Sequence, residues 1–359
     1  MKIALIGEQS GVHLTLAKAL RRAGHKVRIF SSGDGFKRIP GDVSLPKLPP
    51  GFVARMKFAI REIPSFARML STEFDIIQLV NPHILPMVRS GLYTTSIMRL
   101  LRSNGAQLTL LVVGCDSRTQ SGLSQMRRSP CPGCLSDYGV ASCPFIIRGR
   151  PLINEAVEKA VSKVFTMGGA SYARSYSSHP KLHTPLPLPI DPETVRSPRN
   201  HRSGPIRIFH GISRAGFKGS GVILDALSQV KTELGTRVEI TTSQGLPYSE
   251  YLKTMSRADV VVDQMYGDGI GMNALQAMAA SSAVLTAVDK HDFGSVRYSQ
   301  APVINIAEDA QGIATQLREL AEMGRGKLTE IQEASRNYVI RHHNSNTIAK
   351  EMVDAWESP

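Results

Sequence analysis

Aromatic side chains are scarce in this chain, at 6% of 359 residues with a single tryptophan. There is no aromatic ribonucleoprotein motif, helix-turn-helix signature or zinc-finger histidine pair, so nucleic acid is not expected as a partner. Long apolar runs are missing too: Arg, Lys, Pro or Gly interrupts each one before the roughly 18 to 20 residues that a membrane-spanning helix needs. The apolar stretch at the N-terminus, Lys2 to Gly7, is too short for a signal-peptide core and has no small-residue cleavage site, which leads to a cytoplasmic expectation.

Acidic residues are scarce in one half only. Up to Ile190 there are 10 Asp and Glu against 25 Lys and Arg, and beyond it 20 against 18, so the halves carry +15 and −2. A positive field confined to one half is expected to meet something anionic, such as phospholipid headgroups or a lipid-linked phosphate. An ordinary solvated surface is the competing reading.

What is present is globular: 42% apolar and 20% charged, in a length that suits two domains of about 150–200 residues. Short apolar runs at Lys2 to Gly7, Lys26 to Phe30, Asp75 to Val80, Gln107 to Val113 and Lys163 to Met167 read as strands. They alternate with stretches of helical spacing at 12–23, 52–70, 87–102, 153–161 and 170–176. Proline punctuates the next segment, and the alternation then restarts with strands at 206–209, 237–241, 259–263 and 283–286. Helices separate these strands, and three more close the chain. Strands alternating with helices mean parallel, doubly wound sheets. The expected fold class is therefore α/β with two Rossmann-like domains facing a central cleft. Residues 1–180 form a first domain with a Cys-bearing insertion at 115–143, 181–205 a linker, and 206–359 a second domain whose last helix packs back on the first.

One segment is chemically pointed. Asp-Gly-Ile-Gly-Met-Asn-Ala-Leu-Gln-Ala-Met-Ala, from Asp268 to Ala279, directly follows the strand ending at Asp263. Gly269 and Gly271 fall in the strand-to-helix turn, and the helix start at Met272 and Asn273 offers free amides to an anion. Asp268 lies in the turn and Gln276 about a turn and a half into the helix, in reach of a sugar and a ribose respectively.

This segment resembles the donor-binding signature of retaining family-four glycosyltransferases, Glu-Gly-Phe-Gly-x-x-x-Leu-Glu-Ala-Met-Ala, with Asp268 and Gln276 where that family has glutamates. Phe209-His-Gly-Ile-Ser-Arg-Ala-Gly-Phe-Lys-Gly resembles the family's Arg and Lys pair, here Arg214 and Lys218. The stretch from Leu5 to Val27 resembles its opening strand, Gly-rich loop and helix, with Gly11 letting backbone approach the donor phosphate or the acceptor.

The resemblance implies a GT-B fold of the bacterial polysaccharide or glycolipid type, with residues 1–180 as the acceptor-side domain and 206–359 as the donor-binding domain. It implies transfer of a sugar, with retention, from a nucleotide-sugar donor to a glycan, lipid-linked or other acceptor. Arg214, Lys218 and Asp268 would be catalytic and no cofactor would be required. Fixed cations stabilise a departing diphosphate without reorganising. On the acceptor side the candidates are His13, His83 and Asp116, which stands where many relatives have a histidine. A non-catalytic sugar-nucleotide or glycan binder descended from such enzymes is the alternative, motivated by the two replaced glutamates.

All four cysteines, Cys115, Cys131, Cys134 and Cys143, fall in one stretch. Four thiolates suffice for a tetrahedral structural zinc, and free buried thiols are the other reading. From Phe52 to Arg68, Arg and Lys interleave with aromatic and aliphatic residues. That pattern suits either peripheral contact with an anionic membrane or a packed helix with a charged outer face, with Pro64 kinking or breaking it.

Overall fold

The computed structural model describes residues 1–86, 90–146, 149–196, 204–288 and 300–358. Two parallel sheets organise them. The first contains β1 (Lys2–Ile6), β2 (Lys26–Ser31), β3 (Val43–Ser44), β4 (Ile76–Val80), β5 (Gln107–Val112) and β6 (Lys163–Thr166), in the order 3-2-1-4-5-6. The second contains β7 (Ile206–Ile212), β8 (Val238–Gln244), β9 (Val260–Val262), β10 (Ala283–Thr286) and β11 (Ile304–Asn305), in the order 11-10-9-7-8. Every pairing is parallel, as crossover helices on both faces require. The class is the α/β doubly wound pair that strand and helix alternation implies.

Central strands are largely apolar because both faces are covered. Ile3 to Ile6 and Val260 to Val262 are buried, whereas β8, at a sheet edge, buries only its first residue. The helical stretch after β3 runs as an α-helix (Phe52–Lys57), a widened π turn (Phe58–Glu62) and a second α-helix (Ile63–Glu73). Pro64 has no amide to donate and its ring crowds the carbonyl four residues back, so the wider turn falls immediately before it.

Residues 182–190 are not a loose connection. Leu182 and Leu186 bridge to Val164 and Met167, and Ile190 pairs with Asn344 where the chain crosses back. Helix Ser345–Glu357 then packs on helix Val12–Arg22. One buried apolar cluster consequently runs from Leu16 and Phe165 through Leu188 to Phe209, Met278 and Met352, joining the two sheets' cores. Buried Asp191 anchors the crossing, accepting from Lys18 at 3.3 Å and Arg22 at 3.1 Å. Among the described residues no helix is long and apolar enough to cross a membrane.

Candidate active site

Open parallel sheets bind ligands where the strand order reverses, because the two flanking loops diverge there. The first sheet reverses between β1 and β4, and the second between β7 and β9. The loops at these two points line a common cleft of about 740 Å³.

On the second sheet's side, the loop after β7 carries Arg214 and a one-turn helix, Ala215–Lys218, while the loop after β9 leads into helix Met272–Ala279. Gly271 caps that helix, and a Cβ added there would meet nothing within 4 Å, so the approach to the helix start is open. The amides of Met272, Asn273 and Ala274 have no acceptor among the described residues. Gly269 lines the same cavity. Arg214 lies with its guanidinium 3.6 Å from the centre of the Phe217 ring and forms no ion pair or hydrogen bond with the described residues.

Lys218 differs from the free cation that the sequence suggests. It is buried, and its ammonium donates to the Asp263 carboxylate at 2.9 Å and the Gly211 carbonyl at 3.0 Å. The Asn273 side chain donates to the same Asp263 oxygen at 2.5 Å and accepts from the Tyr251 hydroxyl. Asp263 thus joins the cation to the first turn of the open helix.

Asp268 and Gln276 also have protein partners. The Asp268 carboxylate accepts from the Ser171 amide at 2.7 Å and from its hydroxyl at 3.3 Å, with Arg174 at 3.6 Å, capping helix Ala170–Ser175 on the opposite side of the cleft. Burial pushes its carboxyl above the ordinary range, and the Ser171 hydrogen bonds oppose that rise. The Gln276 amide donates to the Tyr248 hydroxyl.

On the first sheet's side, Gly11 takes a left-handed φ of +87° at the start of helix Val12–Arg22, and a side chain there would collide with the Tyr248 hydroxyl. Its amide is not offered to a phosphate: Glu8 accepts from Gly11 at 2.9 Å and from Leu14 at 2.7 Å, closing that helix start. Burial raises the Glu8 carboxyl to about 7 even so.

Two acceptor-side expectations are corrected. His13 is fully buried, with Nδ1 2.7 Å from the Gly7 carbonyl and Nε2 facing Gln78 at 3.2 Å. Burial holds it neutral, with its pKa lowered to about 4. As the second residue of its helix it points down onto the sheet. Asp116 is likewise withdrawn, accepting from Thr119, Arg118 and Tyr176 at 2.7, 2.8 and 2.8 Å as the internal cap of the turn that follows β5. His83 does line the cleft, its ring 5.7 Å from that of Phe145.

The four cysteines are free thiols, and among the described residues no three His, Cys, Asp or Glu side chains gather to hold a metal ion. Burial pushes the Cys115 thiol up to about 12 and raises Cys131 and Cys134. A structural zinc on these thiols stays an expectation from the sequence. The insertion bridges the two halves. Its helix Cys131–Tyr138 lays Gly133 against Gly216, and Asp137 accepts from the amides of Gly216 and Phe217 at 2.7 and 2.9 Å.

No protein-family model and no curated protein sequence matches this chain. Solved structures do, over its whole length. Sucrose-phosphate synthase from Thermosynechococcus elongatus is 16% identical over 99% of this chain and 98% of its own, with a TM-score of 0.63. Anabaena HepE in complex with UDP and glucose is 12% identical over all of both chains, with a TM-score of 0.64. An alpha-glucosyltransferase in complex with UDP-glucose and DNA containing an abasic site is 13% identical over 99% and 98%, with a TM-score of 0.62.

The chain has the GT-B fold.

In and beside this GT-B cleft, the sequence assigned no individual role to Glu8, Asp137, Tyr248, Tyr251 or Asp263. The tyrosines had a usable signal: three residues apart on helix Tyr248–Met255, they share a face, and that face meets the helix start at Met272. Asp263 directly follows β9 at the reversal point, where a carboxylate is poised to meet groups from the neighbouring loop. Glu8 and Asp137 had none, because their partners are backbone amides fixed by tertiary packing.

Proposed function

We propose that the chain is a glycosyltransferase that moves a sugar from a nucleoside-diphosphate donor to an acceptor seated in the cleft. The observation that carries this reading is the open start of helix Met272–Ala279. Its unpartnered amides and positive dipole end share the cavity with Arg214, which has no ion pair among the described residues. Negative charge grows on the diphosphate as the bond to the sugar breaks. Amides and a guanidinium already in place stabilise that charge at no cost in reorganisation. Lys218 lines the same cavity with its charge already balanced by Asp263.

The UDP and UDP-glucose named with several GT-B neighbours support a nucleotide-sugar donor. A glycan or lipid-linked acceptor in surface polysaccharide or glycolipid assembly, with retention of configuration, follows from the resemblance of the donor segment and belongs to the same proposal, as does a cytoplasmic setting. The non-catalytic alternative draws on a separate observation: Asp268 and Gln276 already satisfy protein partners.

Donor hydrolysis and transfer assayed with uridine, guanosine and adenosine diphosphate sugars separate these readings. Turnover with one donor class, reduced about 10²- to 10³-fold in Arg214→Ala with unchanged donor-free thermal stability, is the expected result. Binding of a donor with no turnover for any acceptor favours the binder. Turnover indifferent to Arg214→Ala removes the diphosphate assignment.

A further inference from the structure

The segment after β3 carries an apolar ridge that the proposed transfer reaction leaves unused. Phe52 is 79% exposed, Val53 67%, Met56 43% and Ile60 65%. Phe52, Met56 and Ile60 are four residues apart and fall on one stripe, with Val53 beside it. Phe58, Ala59 and Ile63 turn inward and hold the segment to the core. The ridge is therefore a fixed feature of the folded surface, and exposing four large apolar side chains together calls for a partner.

Charge says which partner. Between Pro46 and Thr72 there are five cations, Lys47, Arg55, Lys57, Arg61 and Arg68, against a single carboxylate, Glu62. Arg55, Lys57 and Arg61 flank the stripe, exposed, and form no ion pair with the described residues. A protein partner with a matching apolar groove would not call for this unbalanced charge, and a nucleic acid backbone would not call for the apolar stripe. A layer of anionic headgroups over acyl chains takes both at once.

We infer that residues 52–61 dock the chain on an anionic lipid bilayer, with Phe52, Val53, Met56 and Ile60 entering the acyl boundary and the three flanking cations holding headgroup phosphates. Parallel strands all end on the cleft side, and this segment is the first part of the helical return from β3. The docked segment therefore begins on the side of the first sheet that faces the cleft. This placement does not depend on which reaction the cleft performs.

The test is vesicle flotation of the full chain. Vesicles of phosphatidylglycerol and phosphatidylcholine in equal parts should carry the chain upward, and pure phosphatidylcholine should not. Replacing the cations (Arg55→Gln, Lys57→Gln, Arg61→Gln) should weaken binding about a hundredfold. Replacing the stripe (Phe52→Ser, Met56→Ser, Ile60→Ser) should weaken it at least about tenfold. Both variants should keep the wild-type thermal midpoint, because all six side chains are exposed.

No flotation with anionic vesicles overturns the inference, as does full binding by the stripe variant. A wild-type dimer in sedimentation that the stripe variant abolishes gives the ridge to a second copy. Binding to duplex DNA without flotation, lost only in the cation variant, gives the face to nucleic acid. Either result overturns bilayer docking.

Discussion

Lys218 and Asp263 illustrate what a position in sequence leaves open. Spacing from β7 puts Lys218 beside the cleft, but the end of β9, more than forty residues on, supplies the carboxylate that holds it. Deleting one partner of a buried pair strands the other, at about 3–5 kcal/mol. Lys218→Met should therefore lower stability by that amount in urea unfolding, and adding Asp263→Asn should restore much of it. If Lys218→Met is as stable as the wild type, the pair is not the anchor described. Activity loss in Lys218→Met alone would mix folding with chemistry, so Arg214, which has no such pair, is the cleaner probe of the diphosphate.

Helix starts are the telling elements. Glu8 closes helix Val12–Arg22, Asp137 the turn at Ala215–Lys218 and Asp268 helix Ala170–Ser175, while helix Met272–Ala279 is left open to the cavity. Other starts, Arg150–Ala160 and Ser220–Leu234 among them, also lack a side-chain cap; Met272–Ala279 is distinguished by opening onto the cleft that Arg214 lines. Two of these caps cross between the halves: Asp137 reaches Gly216 and Phe217, and Asp268 reaches Ser171. Asp137→Ala should cost about 1–2 kcal/mol and speed hydrogen exchange at the Gly216 and Phe217 amides, leaving exchange within helix Ser220–Leu234 unchanged. Unaltered exchange at those two amides would refute the bridging role of the insertion. The sequence showed this insertion as a cysteine cluster and suggested zinc; its two short helices were not visible there because neither has a strong apolar period.

For the whole molecule, buried titratable groups set opposing dependences on pH. His13 and His210 both have their pKa lowered by burial from 6.5 to about 4, so between those values the unfolded chain binds more protons and stability falls as pH drops. Glu8 has its pKa raised from 4.5 to about 7, so the folded chain keeps the extra proton across that window and stability falls as pH rises through it. Glu8→Gln cannot ionise. From about pH 5 to about pH 8, urea unfolding should show it gaining up to about 3 kcal/mol relative to wild type. A constant difference between the two proteins across that range would show that burial does not hold the Glu8 proton.

The amino-acid sequence by itself determined the alternation of strands and helices, the doubling of the α/β unit and the position of the Gly-rich helix start, because periodicity and turn chemistry act over a few neighbouring residues. Even the departures are local: β3 and β11, two residues each, are too short to show a period. Only the tertiary structure decided which side chains remain free. His13 and Asp116 were withdrawn into the core, Lys218 was paired, and Asp268 was turned across the cleft. Each outcome depends on desolvation and on partners brought from remote segments, and neither is encoded in the spacing of residues along one stretch of chain.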